Sequence, residues 1–114
     1  MYIFKAVYTF EGDNKGKFIK EVRKFHLRDK LLAQPGCICF DMVEPLEIPD
    51  TIFLIDMWED KKSLEAHIGC APIKEWTVIK KSLVKTSGWT MWEAHINEEY
   101  VKEVIAIQTR IESE

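Results

Sequence analysis

Of the three histidines in this chain, His67 stands where chemistry is easiest to assemble. An imidazole has the side-chain pKa nearest neutrality, so it can take and return a proton at physiological pH. Trp58 and Trp76 lie on either side of it in sequence, and their flat indoles could wall a planar guest. The Tyr8 hydroxyl could hold a carbonyl or a developing phenolate, as an oxyanion-hole group does. This set suits proton removal from a small aromatic molecule. The resulting anion can give an electron to O2, which otherwise reacts poorly with closed-shell organics, so no cofactor is expected. His67 is therefore the candidate catalytic base, and Trp58, Trp76 and Tyr8 are the candidate substrate-binding residues. The plainer reading is that His67 packs against a carbonyl and the two tryptophans fill core.

Elements must bring these residues together. The stretch TIFLIDMW, residues 51–58, has the β-branched and aromatic content of a strand. Asp60 can cap a helix, with Ser63 close enough to share its exposed N–H groups. Leu64, His67 and Ile68 then share one face of that helix, expected to turn inward because Lys61, Lys62 and Glu65 lie off it. Pro72 suits the first turn of a second helix over about 72–85, with Ile73, Trp76, Ile79, Leu83 and Val84 on its apolar side.

Upstream, residues 2–10 alternate as a strand, with Tyr2, Phe4, Ala6, Tyr8 and Phe10 on one side. A helix is expected over about 15–33, its stripe formed by Phe18, Ile19, Val22, Phe25, His26 and Leu32, with Asp29 as a misfit. His26 reads as a core histidine. Pro35-Gly36 stops this helix, and CICFDMVE, residues 37–44, reads as a strand that places Cys37 and Cys39 on one face. Segment 86–100 is ambiguous between strand, helix and loop, so His95 is assigned no role. Residues 101–111 alternate and read as a final strand.

The order is β-α-β-β-α-β with the second helix broken in two. It predicts an α+β, ferredoxin-like fold with a four-stranded antiparallel sheet and helices on one face. The first and third strands are apolar on both sides, too much surface for a soluble monomer to leave wet, so a homodimer through the open sheet face is expected.

The 114 residues favour one domain over 1–114. A net charge of −3 lacks the basic footprint of a nucleic-acid binder. No apolar run approaches the roughly 20 residues that span a bilayer, so no membrane partner is expected. MYIFKAVYTF lacks a signal-peptide layout, and a cytoplasmic protein with reduced, buried cysteines is expected. The three histidines show no metal spacing, and no dinucleotide, P-loop or serine-hydrolase motif occurs.

The run PGCICFDMVE followed by IFLIDMWEDKKSLEAHIGCAPIKEW resembles the antibiotic biosynthesis monooxygenase family. The shared pattern is Pro-Gly entering a strand, an aromatic-rich strand ending in Trp-Glu, and Leu-x-x-His on the next helix. The resemblance covers about residues 2–85. It implies a dimeric α+β barrel with a pocket between sheet and helices in each subunit. It also implies either cofactor-independent oxidation of anthrones and quinols or heme degradation. The heme-degrading branch uses an asparagine, a tryptophan and a histidine where this chain has Val7 or Tyr8, His67 and Thr77, so the axial heme ligand is missing. The expected function is thus a cofactor-independent monooxygenase acting on a small aromatic, anthrone or quinol substrate. The alternative is a non-enzymatic dimer that binds or senses a small hydrophobic ligand.

Overall fold

The computed structural model describes residues 1–114. In chain order the elements are β1 (Tyr2–Thr9), α1 (Asn14–Phe25), α2 (Leu27–Leu32), β2 (Cys37–Val43), β3 (Thr51–Trp58), α3 (Lys61–Gly69), α4 (Ala71–Leu83), β4 (Thr86–Glu93) and α5 (Glu98–Glu112). The strands form one antiparallel sheet in the order β2-β3-β1-β4. This is the expected α+β, ferredoxin-like arrangement. No helix is long and apolar enough to cross a membrane.

Period-two alternation decides which residues meet. Ala6, Tyr8, Ile52, Leu54, Asp56 and Trp58 point to the helix side and are buried. Phe18 of α1, Leu27 and Leu31 of α2 and Trp76 of α4 close the core over them. Phe18 joins the helices to the sheet, with its ring 4.9 Å from Phe10 and 5.1 Å from Trp76. On the opposite side of the sheet, Ile3, Val7, Phe53, Ile55 and Met57 have no helix over them.

The structure departs from several expectations. The final strand is β4, within the ambiguous segment, while residues 101–111 form the body of α5. Alternation misled there because Tyr100, Val104, Ile107 and Ile111 also fit a helical stripe with steps of four, three and four residues. The helix expected over 15–33 breaks at His26, which takes a left-handed conformation (φ 55°). That break turns the register, burying Leu27 and Leu31 and leaving both Asp29 and His26 exposed, so Asp29 is no misfit and His26 is no core histidine. A β-bulge separates Cys37 from Cys39, which pair with Trp58 and Met57 and so face opposite sides of the sheet. All three cysteines are free, and they are half-buried rather than buried.

Two devices fix α3 where β3 ends. Asp60 and Ser63 form a capping box: Asp60 Oδ1 accepts from the Ser63 backbone N–H at 2.8 Å. Gly36 passes directly against α3 with φ 81°, and a Cβ there would collide with the Ser63 side chain. The Gly36 carbonyl also accepts from Glu59 N–H at 2.8 Å, tying the α2–β2 turn to the β3–α3 corner.

Candidate active site

His67 enters the site from α3, on the turn after Leu64. Only 8% of it is exposed. Its ring stacks on Trp58, with centroids 4.3 Å apart and planes 25° from parallel. Its Nε2 lies 3.6 Å from Asp56 Oδ2, too far for a good hydrogen bond. The same carboxylate oxygen accepts from Trp58 Nε1–H at 2.5 Å. Asp56 and Trp58 are two apart on β3, so both point to the helix side and can bond to one another.

Polar groups here are left without partners. Asp56 Oδ1, His67 Nδ1 and Trp76 Nε1 are buried with no hydrogen-bond partner in the protein. Buried polar atoms are ordinarily paired, so three orphans around one hollow mark a place for a guest or for ordered water. That hollow is a cavity of about 420 Å3 between the sheet and α3/α4, within the usual size range of small-molecule sites. Its apolar wall includes Phe4, Phe40, Leu54, Ile73, Trp76 and Met91. Asp56, His67, Tyr8, Thr77 and Lys80 interrupt that wall with polar groups.

The apolar setting shifts every titrating group toward its neutral form. Burial raises Asp56 to about 6, with the Trp58 N–H holding it back from a larger rise. Burial lowers His67 to about 4. At neutral pH the pair is therefore a carboxylate beside a neutral imidazole. Of the two, Asp56 is the more basic. Burial, and then the Asp56 charge, pushes Tyr8 up to about 12, so its hydroxyl remains a donor. Burial also lowers Lys80, whose Nζ lies 5.4 Å from the Tyr8 ring centre and 5.8 Å from that of Trp89.

Three of the four residues expected from sequence, Tyr8, His67 and Trp76, line the cavity together. Trp58 does not: it is fully buried behind His67, where it orients Asp56 and stacks on the imidazole instead of walling a guest. Asp56 and Lys80 also line the cavity, and no spacing motif marks them in the sequence. An acid at an inward position of TIFLIDMW, between Leu54 and Trp58, was the available signal, since a buried carboxylate in a strand is costly without a purpose. No three His, Cys, Asp or Glu side chains are grouped so as to hold a metal ion.

A family model described as antibiotic biosynthesis monooxygenase matches residues 1–77. The chain belongs to this family. Solved structures agree in fold. SnoaB, a cofactor-independent oxygenase from Streptomyces nogalater, superposes with a TM-score of 0.70 at 15% identity, covering 85% of this chain and 95% of that one. A conserved protein from Methanosarcina mazei Go1 gives 0.74 at 18% identity, covering 82% and 92%. Rv0793 from Mycobacterium tuberculosis gives 0.75 at 13% identity, covering 85% and 97%. At such identities the likeness is one of fold alone. No curated protein matches the chain in sequence.

Proposed function

We propose that this family member is a cofactor-independent monooxygenase that oxidises a small aromatic substrate of the anthrone or quinol type with O2. The observation that carries the reading is the Asp56–His67 pair, set with unpaired atoms in an otherwise apolar cavity. A buried base of pKa about 6 suits removal of a weakly acidic proton at neutral pH. On this reading the substrate's C–H or O–H proton passes to the pair, with His67 as its neutral partner. Tyr8 donates to the oxygen on which the negative charge gathers, and Lys80 adds positive charge at the same end of the cavity. The substrate anion passes one electron to O2, and the two radicals combine as a hydroperoxide. For an anthrone, loss of water then leaves a ketone: the ring methylene and one molecule of O2 become a carbonyl and one molecule of water. One oxygen atom ends in the ketone and the other in the water. The four electrons that O2 takes up come from the two C–H bonds of the methylene.

The apolar open face of the sheet supports a sheet-to-sheet homodimer, in which two copies cover what neither covers alone. Light scattering at micromolar concentration should give twice the mass of one chain; a monomeric mass would rule the dimer out.

Oxygen uptake with a hydroxyanthrone or quinol tests the activity. Turnover should fall at least tenfold in His67→Ala and further in Asp56→Asn. Tight binding without turnover, unchanged by either substitution, would identify a ligand-binding protein instead.

A further inference from the structure

The helix α5 is out of keeping with the rest of the chain. None of its residues is buried. Yet Tyr100, Val101, Val104, Ile105, Ile107 and Ile111 form one continuous apolar stripe, each between 44 and 62% exposed. A lone helix of this length is marginal in water, so it needs something to lie against. It is not folded back on its own domain: the radius of gyration is 16.9 Å, against about 13 Å for a compact chain of this size. The related structures are 92–97% covered by the match, while 15–18% of this chain, about 17 to 21 of its 114 residues, lies outside it. That is the length of α5 with its flanks.

The cavity has a matching defect. Ile68, Trp89 and Met91 line it, yet they are 62, 59 and 54% exposed. Trp89 and Met91 face the helix side of β4, but α3 and α4 leave them more than half exposed. The mouth is thus an apolar strip bordered by basic helices: α3 and α4 carry five lysines against two glutamates. On α5 the balance is reversed, with four glutamates against Lys102 and Arg110.

We propose that α5 is an arm that closes the cavity mouth of a second copy of this chain. Its apolar stripe covers the partner's Ile68, Trp89 and Met91, and its glutamates face the partner's α3 and α4 lysines. Two-fold symmetry makes the exchange mutual, so each site is complete only in the dimer. Reach is adequate. Residues 94–97 join α5 to β4, and the helix adds about 22 Å, roughly twice the spacing of about 10 Å between stacked sheets, enough to pass the partner's edge strand and reach its helix side. The arm rests on the sheet-to-sheet dimer proposed above but not on the oxygenase chemistry.

The test mixes unlabelled and 15N-labelled full-length protein, lets subunits exchange, and joins carboxylates to amines with a zero-length carbodiimide. Peptides linking Glu99 or Glu103 to Lys74 or Lys81 should include pairs with one labelled and one unlabelled member. Val104→Asp/Ile107→Asp, on the exposed stripe, should abolish those mixed pairs while the mass by light scattering stays dimeric. Links only between like-labelled peptides would place α5 on its own domain and overturn the proposal. So would an absence of links in a dimeric protein, whereas a monomeric mass would defeat the dimer reading itself.

Discussion

Asp56 places an ionisable group where ionisation is unfavourable, and His67 does the same with the opposite sign. The Asp56 pKa is raised from 3.8 to about 6, so the unfolded chain gives up this proton before the folded one does. Stability from this group is present below the unfolded value and is lost as pH rises through 6, by roughly 3 kcal/mol. His67 is lowered from 6.5 to about 4. Its contribution is full above 6.5 and is lost as pH falls through 4, by a similar amount of about 3 kcal/mol. Across the window between 4 and 6.5 the two nearly cancel, and the wild-type unfolding free energy should be almost level. Asp56→Asn leaves only the histidine effect. That variant should be more stable than wild type at pH 8 and should lose stability on acidification toward pH 4, as urea titrations at each pH would show. Trp58→Phe removes the N–H that holds the carboxylate down. In that variant the Asp56 titration, followed by 13C NMR of the carboxyl carbon, should move above 6.

At the scale of elements, the corner between β3 and α3 holds the site together. Gly36→Ala forces a side chain against Ser63 at a backbone angle of φ 81°. It should cost more than about 1 kcal/mol and shift α3, with loss of substrate affinity measurable by titration. Asp60→Ala removes the cap and should lower the urea midpoint without changing the slope of the transition. This corner was legible in the sequence, because Pro35-Gly36, Asp60-x-x-Ser63 and the run from Leu64 to His67 each carry a local rule. What lay beyond it was not. The α1–α2 break depends on His26 adopting a left-handed angle, which no residue pattern required. Thr86–Glu93 became a strand because β1 offers an edge along its whole length, and Ala6↔Trp89 and Phe4↔Met91 are long-range pairings. Asp56 was hidden by its strand, since alternation marks its side but not its protonation. Lys80 sits on a helix face that reads as solvated until the cavity is seen.

The whole molecule leaves two apolar surfaces open, the far side of the sheet and the stripe of α5. A two-fold dimer would cover both. Phe53→Asp, on the open face, should convert the dimer to monomers by light scattering, whereas charged substitutions on the α5 stripe should not. The proposed activity requires a buried carboxylate beside a neutral imidazole to act as a base on a guest in the cavity. Its most direct test is the pH dependence of oxygen uptake with a hydroxyanthrone between pH 5 and 8, for wild type and Asp56→Asn. The prediction is a wild-type rate that falls as pH drops through about 6 and a variant rate at least tenfold lower with that acid limb gone. A variant as fast as wild type, with the same profile, would contradict it.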